Sequence, residues 1–205
     1  MTQEHKSRCW WPGEDSLYLH YHDTEWGVPV YDDVKHFEFL CLEGQQAGLS
    51  WITVLRKREN YRRSFKGFDP VRVARMRDAT LEKMLQDTGL IRNRAKIFGV
   101  RTNARAFLEV QKEFGSFTNY IWSFVGGKPI DGKRKSRDGV PSTSVESDAL
   151  SADLKKRGFK FVGSTICYAH LQAAGLINDH VSTCFRYQEV KRLAKPVGPK
   201  QNRST

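Results

Sequence analysis

The sequence contains no run of eighteen consecutive apolar residues, so no stretch carries the signature of a membrane-spanning helix. Residues Met1 to Arg8 are polar and charged and lack the apolar centre of an export signal. These two absences lead to the expectation of a soluble, cytoplasmic protein. Cysteine is scarce, at four in 205 residues, and Cys9, Cys41, Cys167 and Cys184 form no Cys-x-x-Cys pair. In a reducing compartment they are expected as free thiols or metal ligands rather than disulfides. Also missing are the His-Glu-x-x-His of zinc proteases and the His-x-Glu with Pro-Cys-x-x-Cys of zinc deaminases, which removes two familiar routes to catalytic zinc. There is no internal repeat, no heptad pattern, and little alternation at period two, so the chain does not read as a solenoid, a coiled coil or an all-β fold.

Acidic residues are outnumbered, 23 against 34 basic ones, for a net charge of +11 and a pI near 9.6. Such a balance suits a polyanion binder. The segment Glu189–Thr205 holds five basic residues and one acid among Pro, Gly, Gln, Asn and Ser, and reads as a basic, disordered tail. Setting it aside leaves +7 on the rest, so the charge belongs to the domain itself. The expected organisation is one domain over residues 1–188, with 39% hydrophobic residues to build its core, followed by the tail 189–205.

What is present is helical punctuation. Val34, Phe37, Leu40 and Cys41 repeat at three and four, with Asp32 or Asp33 to cap the start and Gly48 to stop the helix, which predicts a helix over about 34–47. Further helices are expected over Ser50–Phe65, Pro70–Arg77, Leu81–Thr88, Asn93–Phe114, Phe117–Phe124, Asp148–Arg157 and Ser164–Leu176. Pro70 after Asp69 has the form of a first-turn proline behind its cap, and Gly89, Gly115 and Gly158 stand where helices should stop. Gly126–Ser147, rich in Gly, Lys, Arg and Ser, reads as a long exposed loop.

Three groups of residues could carry chemistry. Leu81–Val100 reads as two short helices joined by Gly89-Leu90-Ile91, a candidate hairpin whose backbone N–H groups face a DNA phosphate, with Arg92, Arg94 and Lys96 adding charge; an ordinary solvated turn fits too. Cys9 and His22 lie near one end, His180 and Cys184 near the other. Two thiolates and two imidazoles would complete a closed, structural zinc shell, although buried cysteines and surface histidines are the plainer reading of that spacing. Cys41 and Cys167 sit in apolar helical patterns and read as core. Finally Trp10, Trp11, Tyr18, Tyr21, Trp26 and Trp51 crowd one quarter of the chain around the acid Glu43, which shares a helix face with Phe39, Leu40 and Ala47. Such a set suits either a pocket that stacks a cationic planar base or a plain aromatic core.

Four longer strings go beyond composition: His22 to Pro29 (HDTEWGVP), Leu42 to Trp51 (LEGQQAGLSW), Lys155 to Gly163 (KKRGFKFVG) and Gly175 to His180 (GLINDH). They strongly resemble the type I 3-methyladenine DNA glycosylases, over a span from about Arg8 to about Tyr187. The resemblance implies a mainly α, helix-hairpin-helix DNA glycosylase fold, with a structural zinc ion held by Cys9, His22, His180 and Cys184 joining the N- and C-terminal regions. It implies that Glu43 recognises the base, that Tyr21 and Trp51 stack on it, and that Trp11 and Tyr18 line the same pocket. Leu49, at the turn beside that pocket, is the choice for a side chain wedged into the gap left by the base.

The implied activity is monofunctional hydrolysis of the N-glycosidic bond of N3-methyladenine in double-stranded alkylated DNA, by a monomer, leaving an abasic site. Two departures stand out. Downstream of the hairpin, where the wider superfamily carries a water-activating aspartate, only Glu109 and Glu113 occur, a lack the type I family shares. The basic tail beyond about Tyr187 matches nothing in the family pattern. The rival reading is a non-catalytic, zinc-stapled module that binds nucleic acid without releasing a base.

Overall fold

Asp, Asn and Ser side chains open most of the helices in this structure, a computed structural model that describes residues 6–195. Among the described residues there are ten α-helices: α1 (Ser16–Thr24), α2 (Asp33–Gln46), α3 (Trp51–Ser64), α4 (Pro70–Ala74), α5 (Asp78–Met84), α6 (Arg94–Phe114), α7 (Phe117–Ser123), α8 (Val145–Lys156), α9 (Ser164–Ala173) and α10 (Phe185–Leu193). Two two-residue strands, β1 (Ile130–Asp131) and β2 (Ile177–Asn178), pair in parallel with Ile130 opposite Ile177. Asp15, Asp32, Asp69, Asn93, Ser116 and Ser144 each accept a hydrogen bond from a backbone N–H two or three residues on. A cap of this kind contributes about 1 kcal/mol and fixes where each helix begins.

All eight expected helices are present. Of the two aspartates that could open α2, Asp32 does so. Asp33 instead reaches across to accept from the backbone N–H groups of Phe117 and Thr118, fastening the start of α7 to α2. The helix expected over Leu81–Thr88 runs instead over Asp78–Met84. Gly89 serves close approach: a Cβ there would lie 2.4 Å from the Asn60 side chain of α3.

Helix α2 organises the molecule. Its residues His36 to Gln45 are buried in unbroken succession, so it is covered on every side rather than along one stripe, by α3, α6, α7 and α9 among others. The longest helix, α6, turns Ile97, Val100, Ala104, Phe107 and Val110 inward, and Phe107 packs on Phe37 of α2 (5.1 Å) and Phe117 of α7 (4.2 Å). A carboxylate near the end of α2 is therefore placed inside the protein by the burial of its whole helix.

Two expectations need correction. The segment read as a tail is helical at its start: α10 runs to Leu193, Val190 is buried, and the Lys195 carbonyl accepts from the Tyr31 hydroxyl. Its basic composition concealed an inward face made only of Tyr187 and Val190. Residues 196–205 lie outside the described residues. The loop 126–147 is exposed over 135–139, but before that it is fastened to the body. β1 pairs with β2, Arg134 forms an ion pair with Asp179 (2.7 Å), and the Arg134 carbonyl accepts from the Ser182 N–H (2.7 Å).

Candidate active site and metal cluster

Glu43 stands in the last turn of α2 with 3% of its surface exposed, at the wall of a cavity of about 220 Å³. Trp11, Tyr18, Tyr21, Trp26 and Trp51 line the same cavity, together with Gln46 from α2 and Gln172 and Asp179 from the far end of the chain. Burial pushes the Glu43 carboxyl up to about 8, a rise that the positive charge of Arg58 opposes. This acid is thus neutral in large part near pH 7 and gains most when a cation arrives beside it. Burial also raises the phenols of Tyr18, to about 12, and Tyr21, which leaves both uncharged.

The aromatic residues come together by local structure. Helix α1 puts Tyr18 and Tyr21 three residues apart on one face, the segment before it brings Trp11 against Tyr18 (ring centroids 4.9 Å), and α3 contributes Trp51 as its first residue. Tyr21 and Trp51 lie 5.5 Å apart with their planes at 47°. A planar base sandwiched between two rings parts them to about 7 Å, twice the ~3.5 Å contact distance. In this structure these two rings therefore touch, forming one continuous wall rather than a slot. The indole N–H of Trp51 is buried without a hydrogen-bond partner.

Between α2 and α3 the chain turns at Gly48, whose φ of +77° is one that L side chains rarely adopt. Leu49 follows, 42% exposed, between the cavity-lining residues Gln46 and Trp51.

A second cluster adjoins the first. Cys9, His22, His180 and Cys184 are all buried, and their ligand atoms lie within 4.8 Å of one another. The Sγ of Cys184 is 3.5 Å from both His22 Nε2 and His180 Nδ1, and Cys9 Sγ is 3.5 Å from His180 Nδ1. Around a small tetrahedral ion, metal–sulfur distances of about 2.3 Å and metal–nitrogen distances of about 2.0 to 2.1 Å separate sulfur from nitrogen by about 3.5 Å. The remaining ring nitrogens are also engaged: His22 Nδ1 with Asp23 Oδ1 (2.8 Å) and His180 Nε2 with the Trp26 carbonyl (3.1 Å). Such outer partners fix ring orientation and tautomer in metal sites. The cluster could hold a metal ion, and with four protein donors it would leave no open position.

A family model described as methyladenine glycosylase matches residues 11–187. The chain is 54% identical over 180 residues to DNA-3-methyladenine glycosylase 1 of Escherichia coli (strain K12), covering 88% of this chain and 96% of that protein. A crystal structure of 3-methyladenine DNA glycosylase I superposes with a TM-score of 0.85 at 55% identity, covering 87% of this chain and 98% of the other. A variant of 3-methyladenine DNA glycosylase I in complex with 3-methyladenine gives 0.84 at 36% identity, covering 86% and 95%. The chain belongs to the methyladenine glycosylase family.

In this methyladenine glycosylase, every residue singled out from the sequence for the pocket lines the cavity except Leu49, which stands at the adjoining turn. Glu109 and Glu113 do not line it; they form exposed ion pairs with Lys112 and Arg157. Lys96, expected to add charge for phosphate, is buried, and Arg94 is paired with Glu82 (2.6 Å). Sequence reasoning missed Gln46, Gln172 and Asp179. The last carried a usable signal, because the string GLINDH delivers His180 to the metal cluster and so brings Asp179 beside the cavity. Asp179 accepts from Arg134 Nε (2.7 Å), Tyr168 Oη (2.5 Å) and Gln172 Nε2 (2.8 Å), which holds it rigidly in the wall.

Proposed function

We propose that this enzyme removes 3-methyladenine from double-stranded alkylated DNA by hydrolysing the N-glycosidic bond, leaving an abasic site. One observation carries the reading: a carboxyl group buried among aromatic faces, in a cavity of about 220 Å³, raised to about 8 and waiting for a positive partner. Methylation at N3 makes adenine cationic and weakens its bond to the sugar, so the leaving group requires little acid assistance. The nucleotide leaves the helix, and its base lies on the wall formed by Tyr21 and Trp51, with Trp11 and Tyr18 lining the same space. Glu43 accepts hydrogen bonds from the base as a carboxylate, and the cation lowers its proton affinity as it enters. Neutral adenine lacks that attraction, and an unmet polar contact in a dry pocket costs about 1 to 3 kcal/mol.

Leu49 fills the gap left in the stack, supported by its exposure at the turn beside the cavity. The N–H groups of Gly89, Leu90 and Ile91 donate within the protein, so the turn between α5 and α6 holds the DNA backbone through the exposed Arg92 and the first N–H groups of α6. Among the described residues no lysine lines the cavity, which supports a monofunctional enzyme without a Schiff base. Cys9, His22, His180 and Cys184 hold structural zinc, a reading supported by the sulfur–nitrogen spacing of 3.5 Å and by the two-sulfur, two-nitrogen donor set. Bound there, zinc supplies cross-linking of the two ends of the domain. The reading takes the enzyme to act as a monomer in the cytoplasm, where the DNA is. The test is to incubate the protein with methylated duplex DNA and identify the free bases. Release of 3-methyladenine is expected; binding without release would return the chain to a non-catalytic nucleic-acid module.

A further inference from the structure

The first turn of α6 contains a residue that works against its own helix. Lys96 is the third residue of α6, where a positive charge is opposed by the positive end of the helix dipole. It is 7% exposed, and its Nζ donates to the carbonyls of Gln45 and Ala47, each at 2.7 Å. Those carbonyls belong to the last turn of α2 and its C-cap, where helical partners run out and a cation is favoured. The lysine serves α2, and its ammonium group is committed there rather than free for a phosphate.

The same contact continues in both directions. Gln45 Nε2 donates back to the Lys96 carbonyl (3.2 Å), and Gln45 Oε1 accepts from the Tyr61 hydroxyl of α3 (3.0 Å). The Tyr61 oxygen in turn accepts from the backbone N–H of Ile91, inside the turn between α5 and α6 (3.0 Å). Two more side chains of α3 hold that turn: Lys57 donates to the Thr88 carbonyl (2.6 Å) and Asn60 to the Gly89 carbonyl (3.3 Å). Gln45 lies two residues beyond Glu43, and α3 begins with Trp51. The turn is thus bonded to two of the helices that furnish pocket walls, α2 and α3.

We propose that Lys96 and Tyr61 are positioning residues that lock the α5–α6 turn to the Glu43 helix, so that the grip of the turn on a DNA backbone sets where the extruded base meets the pocket. This rests on the DNA reading given above. A rigid link of this kind matters because displacement by ~1 Å far from the reacting bond can cost ~100-fold in rate.

The experiment compares Lys96→Met, which keeps the aliphatic stem, and Tyr61→Phe, which removes one oxygen, with the unsubstituted enzyme. Three quantities are measured: excision from methylated duplex, affinity for free 3-methyladenine by tryptophan fluorescence, and the salt dependence of binding to undamaged duplex. The expected result is a fall in kcat of about tenfold or more, with KM, free-base affinity and salt slope unchanged. The double variant should lose little more than either single one, because both break one link. A salt slope reduced by about 0.9 in Lys96→Met would mean a phosphate contact and overturn the proposal. Equal losses of free-base binding and excision would make both residues mere supports of the pocket and also overturn it, as would unchanged excision. Should Lys96→Met not fold, Tyr61→Phe decides by the same criteria. Failure of the DNA reading itself is distinguishable, since the unsubstituted enzyme would then release no base.

Discussion

The indole of Trp11 meets the imidazole of His22 edge-on, with ring centroids 5.1 Å apart, while its other ring neighbours are Tyr18, Tyr21 and Trp26 of the cavity. One side chain is therefore shared between the Cys/His cluster and the lesion pocket. Trp26 is placed in the same way against His180, at 4.6 Å.

Loss of the metal should accordingly be felt in the pocket. His180→Ala is expected to lower bound zinc from one equivalent to near none, and to destabilise the fold by several kcal/mol, since metal-binding energy is folding energy. Tryptophan emission should shift with it, because Trp11 and Trp26 both lie on the ligand rings. Metal analysis, thermal unfolding and emission spectra check this. Full metal occupancy in the variant would remove His180 from the ligand set.

Glu43 should trade stability for activity. Its carboxyl is raised in the folded state to about 8 from an ordinary 4.5, so its contribution to stability is complete below about 4.5 and lost as pH rises through about 8. At pH 7 the penalty is on the order of 2 to 4 kcal/mol. Glu43→Gln is expected to be more stable than the native enzyme at pH 7, by an amount that shrinks toward pH 4.5, yet to excise 3-methyladenine at least about 100-fold more slowly. In the native enzyme kcat/KM should rise with pH up to about 8, and this limb should vanish in the variant. A variant of unchanged stability would contradict the burial argument.

Acid should attack the core at a different place. His36 of α2 and His170 of α9 are fully buried, 3.3 Å apart at Nδ1 and Nε2, and His170 Nδ1 has no hydrogen-bond partner. Burial lowers His36 to about 4 and His170 well below its ordinary 6.5. Because the folded values are depressed, the stabilisation is present above about 6.5 and lost as pH falls toward 4. The loss should approach ~1.4 kcal/mol per pH unit for each histidine, set against the opposite trend of Glu43. Denaturant midpoints measured between pH 7 and 5 in the Glu43→Gln background, with and without His170→Gln, isolate the share of His170, and the substitution should flatten the fall by up to ~1.4 kcal/mol per pH unit.

Leu49 should matter only when there is a stack to fill. Leu49→Ala is expected to reduce excision from duplex by about tenfold while leaving excision from single strands within about twofold, since only the duplex requires a few kcal/mol of unstacking and unpairing. Equal effects on both substrates would assign the side chain to the pocket instead.

The residues showed most of the helices because Asp and Ser caps and stop glycines are local signals. Helix α1 escaped because its buried face is Tyr21 and His22 rather than an aliphatic stripe, and α10 because five basic residues from Glu189 onward dominate that segment's composition. The pocket set Glu43, Tyr21, Trp51, Trp11 and Tyr18 was legible as a crowd of aromatics about one acid, and the family strings gave it roles. What remained hidden depends on long-range placement. Neither the inward turn of Lys96 onto α2 nor the delivery of Asp179 to the cavity can be read from neighbours in sequence, because their partners lie about 50 and 45 residues away. Contact between Tyr21 and Trp51 is likewise set by the crossing of α1 and α3.

Cys9 and Cys184 meet although almost the whole described chain lies between them. Closing so long a loop is entropically slow and waits for the last ligand to be synthesised. Since Trp11 is held in part by His22, a nascent chain on the ribosome has its central helix long before it has a finished lesion pocket. A fragment cut off ahead of Asp179 would keep the Glu43 helix and still lack the Asp179 wall, so damage recognition arrives only once the segment from Asp179 to Cys184 has been translated.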